Sequence, residues 1–275
     1  MRMIKMMYVC LCLSGILTQL HAQTTLVGVV QKLDNQPIAY VNIGIKHKNI
    51  GTVGNENGEF SFLLKTENEQ DTLLFSCIGF ETLSMPIQKI LHEKITVFQL
   101  HEKILALQEV VVSNQKPKLK KIGTKSINPL LWGNATSKDG KDMVEMGQLI
   151  GINKPSTVQT LHIYLRGINR DSATFRINFY AVQQGMPAER ICEKNIFYHK
   201  KLDKGWLSLD LTAYDLVFEK DFIVAIELLP EKNSKGYAFA YGGQFGGSTF
   251  IRNVSLGTWN KMKGASISMY LTVKQ

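Results

Sequence analysis

The chain has 275 residues, 44% hydrophobic and 20% charged, with a formal net charge of +9. That apolar share is too high for a disordered tail and suits globular folding. Four cysteines at no zinc-type spacing give no metal framework, and the basic excess is not interleaved with stacking aromatics, so neither a metal nor a nucleic acid is an expected partner.

Residues 1–22 have the three parts of a secretory signal. Arg2 and Lys5 supply a positive start, Tyr8 to Leu20 is almost wholly apolar, and Leu20-His21-Ala22 ends on a small residue before Gln23. The apolar run falls short of the roughly 20 residues a spanning helix needs. The expected mature protein begins at Gln23, exported to the periplasm, the outer membrane or the cell surface, with no transmembrane segment after cleavage. Cleavage removes Cys10 and Cys12. It leaves Cys77 and Cys192, each inside an apolar, strand-like run and expected to be buried as a small hydrophobe. A mature chain of about 250 residues suits two domains.

Residues 23–112 read as a run of short strands. Leu26-Val27-Gly28-Val29-Val30 is followed by a turn at Asp34-Asn35-Gln36-Pro37. Ala39 to Ile45 alternates, with Val41, Ile43 and Ile45 on one face. Asn57-Gly58 is a strong reversal signal, Phe60 and Phe62 share a face, and Leu73 to Cys77 makes another strand. Gly51 and Gly58 are both expected where a reversal needs positive φ. Strands with polar turns at this spacing indicate an antiparallel sandwich.

The order Gly28-Val29-Val30, Asp34 to Pro37, Ala39 to Ile45, Gly51-Thr52, Asn57-Gly58-Glu59-Phe60, Ile78-Gly79-Phe80-Glu81 and Leu107 to Val112 resembles the carboxypeptidase-regulatory-like domain. The resemblance implies a seven-stranded, transthyretin-like sandwich that folds, docks or spaces and does no catalysis. Such domains stand at the N-terminus of TonB-dependent outer-membrane receptors and of many exported bacterial proteins. In the receptors a similar Glu-Val-Val-Val stretch can pair with TonB by strand addition, which makes Glu109, Val110, Val111 and Val112 partner-docking candidates. Read from the residues, the same stretch is the last strand of the sandwich. The remaining length cannot hold a plug and a large barrel, so transport by this chain alone is not expected.

Charge is unevenly spread. Residues 23–112 carry 7 basic and 10 acidic groups, residues 127–275 carry 18 and 13, and the short segment 113–126 carries five lysines and no acid. Lys116, Lys118, Lys120, Lys121 and Lys125, with Pro117 and Gly123, give it the composition of a solvated linker.

Residues 127–275 show strict period-2 alternation in five runs. Leu161, Ile163 and Leu165 oppose His162, Tyr164 and Arg166, while Phe175, Ile177 and Phe179 oppose Arg176, Asn178 and Tyr180. Leu207 to Leu211, Phe222 to Leu228 and Ile267 to Val273 repeat the pattern, so each is expected to be a strand with one buried face. The expected architecture is all-β, with a second, jelly-roll-like antiparallel sandwich. Sandwiches of this shape often bind carbohydrate, and the aromatics at strand ends and in Gly-rich segments are the ligand-binding candidates: Tyr241, Phe245, Trp259 and Trp206, with Trp132 beside them. Tyr241 to Phe250 is expected to be the ligand loop, because Gly242, Gly243, Gly246 and Gly247 would let a partner approach closely.

No catalytic constellation is legible. His92-Glu93 and His101-Glu102 each lack the second histidine of a zinc-protease helix. Ser113-x-x-Lys116 lacks its companion motifs, and Gly242 to Gly247 lacks the Lys-Ser/Thr ending of a phosphate cradle. Acid pairs such as Asp139 with Asp142, or Asp215 with Asp221, are the remaining candidates for hydrolysis or calcium. The leading expectation is therefore a non-enzymatic envelope protein, without cofactor, that binds a glycan, a surface polymer or an envelope protein. The alternatives are an accessory subunit of a TonB-dependent uptake system and, third, a hydrolase whose acid pair is assembled only by the fold.

Overall fold

The computed structural model describes residues 23–103, 118–136, 142–231 and 237–275. The expected signal sequence, Glu109 to Val112, Asp139 and the first part of the basic segment lie outside the described residues. The described chain is all-β apart from one short helix and two single 3-10 turns.

The first sandwich holds β1 (Gln23–Lys32), β2 (Asn42–Ile45), β3 (Ile50–Val53), β4 (Glu59–Lys65), β5 (Thr72–Ser76), β6 (Leu83–Pro86), α1 (Ile87–Glu93) and β7 (Val97–Leu100). One sheet runs β4-β1-β7 and the other β3-β2-β5-β6. All neighbours are antiparallel except β1 and β7, which run parallel because α1 carries the chain across. Alternation puts Leu26 and Val30, Phe60, Phe62 and Leu64, and Phe98 and Leu100 inward against Ile43, Leu73 and Phe75. Phe75 and Phe98 stack at 4.3 Å in the middle. His92 lies in the last turn of α1.

The two reversal glycines differ. Gly58 has φ +72 as expected, and Asn55 Oδ1 accepts from the Asn57 and Glu59 N–H groups around it. Gly51 sits in extended backbone within β3, and the turn before it is made by His47 and Asn49 at φ +64 and +53. Its lack of a side chain serves a different purpose, described below.

The second sandwich contains β8 (Leu119–Gly123), β9 (Asn128–Ala135), β10 (Val144–Ile150), β11 (Ser156–Ile168), β12 (Ser172–Gln183), β13 (Met186–Arg190), β14 (Ile196–Lys201), β15 (Gly205–Asp210), β16 (Leu216–Phe218), β17 (Phe222–Leu228), β18 (Phe239–Arg252), β19 (Asn260–Ile267) and β20 (Met269–Lys274). They form one sheet folded into two layers, with the path β13-β12-β17-β10-β18-β11-β20-β8. The fold turns on β18. Its first residues pair with β11 and its last with β10, so it carries the sheet from one layer to the other. Leu161, Ile163 and Leu165 of one layer meet Phe175, Ile177 and Phe179 of the other in the core. Cys77 and Cys192 are both free and buried, one in each core.

Two expectations are corrected. The basic segment is not linker throughout: Leu119–Gly123 is strand β8, paired with β20 at the sheet edge, and Ile122 packs on the core. Lysines on an edge strand deter further pairing, and that composition is hard to tell from a connector. The stretch from Gly242 to Gly247 is not a loop. It lies within β18, where a bulge between Phe245 and Ser248, with Gly246 and Gly247 at φ +98 and +70, bends the strand.

The sandwiches meet across a charged row. Arg176, Glu227, Glu145 and Arg252 stand opposite one another on β12, β17, β10 and β18, all on the outer face. Arg176 and Glu227 are 0% exposed, because the β3-β2 face of the first sandwich covers them. Arg176 bonds Glu227 at 3.3 Å and donates to the Tyr40 carbonyl of the first sandwich. Asn178 donates to both Glu145 and Glu227, Tyr180 donates to Glu145, and Arg252 closes the row on Glu145 at 2.5 Å. Asn42 on β2, in the amide orientation that satisfies both its ends, donates to Glu227 and accepts from Arg190. The backbones approach so closely that a Cβ on Gly44 or Gly51 would lie 2.8 or 2.6 Å from the Ser255 carbonyl oxygen. That contact is what Gly51 is for.

Candidate functional site

The outer face of the other layer is open. Across β15, β11, β20 and β8, alternation points Trp206 and Ser208, His162 and Tyr164, Tyr270 and Thr272, and Lys121 away from the core. Trp206 on the edge strand lies opposite Tyr164, and their rings meet edge to face at 5.4 Å. The Trp206 ring also meets Tyr270 edge to face at 4.9 Å. Tyr270 stacks on His162 at 4.3 Å, and Lys121 Nζ sits over the Tyr270 ring. Trp206 remains 36% exposed at the top of this cluster.

Polar groups flank the rings. His162 Nδ1 is 2.8 Å from Ser208 Oγ and its Nε2 is 3.0 Å from Thr272 Oγ1. Burial, helped by Lys121, lowers the His162 pKa and so favours the neutral imidazole. A Ser–His pair resembles half of a nucleophilic triad, but the group behind His162 is a hydroxyl and not a carboxylate. What the arrangement offers is apolar ring faces beside hydroxyl and imidazole groups that donate and accept.

The face runs into a depression. Gly123, opposite Tyr270, is also the first residue lining an open hollow of about 580 Å³ between Gly123–Ser126 and Gln244–Gly247, with Ser266 on its wall. Phe245 lines it and is 59% exposed.

The aromatic candidates thus separate. Trp206 and Phe245 are both accessible, one on the ring face and the other in the hollow. Trp132 is 55% exposed and faces outward, since the Cβ direction of the next residue, Gly133, runs into Tyr241 inside the core. Tyr241 is corrected: at 6% exposure its ring lies over Gly133, closed off from any ligand, and burial raises its phenol pKa. Trp259 belongs to the junction, where it packs on Tyr180 and under Arg252. Sequence reading missed Tyr164, Tyr270 and His162 as members of the site. Their outward positions were visible in the alternation, but the strand order that gathers them was not.

Of the acid candidates, Asp139 lies outside the described residues. Asp142 accepts from the Ser255 N–H and hydroxyl, and Asp221 accepts from the Ile152 N–H. Among the described residues no group of three or more His, Cys, Asp or Glu side chains could hold a metal ion. No helix among them is long and apolar enough to cross a membrane.

Residues 26–112 match the CarboxypepD_reg-like domain, so the resemblance read from the first sandwich is met there. Domains of this kind are typical of extracytoplasmic proteins and are compatible with an envelope-associated binding module. No curated protein matches the chain. Among solved structures the chain is similar to the cysteine protease and lectin-like domains of Cwp84, a surface layer associated protein of Clostridium difficile, at 7% identity and a TM-score of 0.41, covering 93% of this chain and 59% of that one. It is also similar to a structure of infectious bursal disease virus, at 10% identity and a TM-score of 0.31, covering 92% of this chain and 63% of that one. This chain therefore spans less than two thirds of either, and likenesses this weak carry no function across.

Proposed function

We propose that this chain is a non-catalytic, envelope-associated binding protein whose second sandwich takes a glycan on the outer face of β15-β11-β20-β8. The observation that carries the reading is the exposed Trp206 ring on the sheet face, set on Tyr164 and the buried Tyr270, with Ser208, His162 and Thr272 beside it. A sugar ring has apolar C–H faces and a hydroxyl rim, and this surface offers the complement of both. A tryptophan left accessible on an edge strand, rather than turned inward, marks an interaction surface more than a packing need.

The test is a glycan array probed with the full exported chain and with Trp206→Ala. Losing a hot-spot ring of this kind should weaken retention about tenfold or more, while the thermal midpoint falls by only a few degrees. Unchanged retention by Trp206→Ala, or no glycan retained by the parent protein, would end the proposal.

A further inference from the structure

We infer that the glycan is acidic, a polymer bearing carboxylate or sulfate groups that are met along β8 and in the hollow beyond it. The inference rests on the glycan reading above and adds the ligand's charge. The face is graded from one side to the other. At the β15 edge stands Asp210, whose carboxylate accepts from the Thr212 N–H and hydroxyl. At the β8 edge stand Lys121, held over Tyr270, and Lys274 one strand in, pointing the same way. The chain then runs from Gly123 into the hollow, lined by Lys125, the hydroxyls of Thr124, Ser126 and Ser266, the Gln244 amide and the Phe245 ring, with no carboxylate among the described residues that line it.

Lys121, Lys125 and Lys274 form no ion pair among the described residues. Lys121 and Lys274 on the ring face, with Lys125 in the hollow, attract an anion to the side of the ring cluster. From β15 to β8 the face crosses three strand spacings, about 14 Å, which is longer than one sugar ring. The fitting ligand is a chain of sugars.

The experiment uses the full chain in affinity electrophoresis against polygalacturonate and alginate, each beside its carboxyl-reduced or methyl-esterified counterpart, and heparin beside its desulfated, carboxyl-reduced counterpart, and in co-sedimentation with phosphatidylglycerol vesicles. At least one acidic polymer should be retained and its neutralised form should bind more weakly. Lys121→Gln with Lys125→Gln should weaken binding to the acidic form about fivefold and to the neutralised form by less, while Trp206→Ala should weaken both alike. Equal retention of acidic and neutralised forms, lost in Trp206→Ala, would overturn the acidic inference and leave the glycan reading standing. Retention of no acidic polymer, or sedimentation with vesicles alone, would overturn the inference as well.

Discussion

Arg176 shows how one side chain ties the two sandwiches together. Its guanidinium is fully buried, bonded to Glu227 on its own sheet and to the Tyr40 carbonyl across the junction, and lies 4.9 Å over the Phe197 ring. Removing one partner of a buried pair leaves the other charge uncompensated, so Arg176→Leu should destabilise by about 3–5 kcal/mol, read as a lower urea midpoint at unchanged m. Glu227 adds a pH signature. Burial alone would raise its pKa, but Arg176 and Arg190, with Asn178 donating to it, hold it below the usual carboxylate range. The unfolded chain therefore takes up this proton at higher pH than the folded one. The resulting stability is complete above the ordinary glutamate value of about 4.3 and is lost as the pH falls through the folded value. Urea midpoints followed downward from neutral pH should fall more steeply for the parent than for Glu227→Gln; parallel curves would remove Glu227 as the source. The sequence held a sign of this burial. The strand Phe222–Leu228, expected to bury one face, is buried on both, and Ile223 and Ala225 on its second face are the apolar residues that the alternation reading passed over. Arg176, Asn178 and Tyr180 on the neighbouring strand read as a solvent face because alternation cannot tell water from a second domain.

The strand β18 is where local chemistry decides topology. It must serve both layers, and the bulge at Phe245 to Ser248 supplies the bend. Gly246 and Gly247 both have positive φ, but a Cβ on Gly246 meets nothing within 4 Å, whereas one on Gly247 would lie 2.2 Å from Ser266 Oγ. Gly246→Ala should therefore show only backbone strain, about 1–2 kcal/mol. Gly247→Ala should cost more, because Ser266 must also give up its bond to the Gly246 carbonyl. Thermal melts of the two variants measure the difference, and equal losses would show that the contact with Ser266 is soft. Glycine content was legible as a break in regular structure, yet the same composition serves a loop and a bent strand equally well. The first sandwich was more legible, since Val41, Ile43, Phe60, Phe62 and Phe75 all lie in its core where alternation puts them. The binding face was half legible. Trp206 and Phe245 stood out as aromatics beside glycine, while Tyr164 and Tyr270 join the site only through cross-strand register over a hundred residues apart.

The two sandwiches have separate cores but share a third apolar contact, where Val53 and Tyr40 of the first meet Met143, Phe197 and Leu229 of the second. Lys103 to Glu193, and Asn49 accepting from the Thr258 N–H and hydroxyl, extend the junction to its rim. The first sandwich thus forms one wall of the buried charged row. Calorimetry of residues 23–275 should accordingly show one cooperative transition. A fragment of residues 118–275 should melt at a lower temperature, because its Arg-Glu-Glu-Arg row would face water unpaired with the first sandwich. Two resolved transitions in the longer chain, with the fragment melting at the temperature of one of them, would show that the halves are independent.

Gly44 and Gly51 make this particular first sandwich hard to exchange. A homologous module grafted onto the second sandwich would need bare backbone at both places; any methyl there would wedge the halves apart and admit solvent to Arg176 and Glu227. Kinship in fold alone would not make a donor compatible, and chimeras should succeed or fail on those two positions before any other.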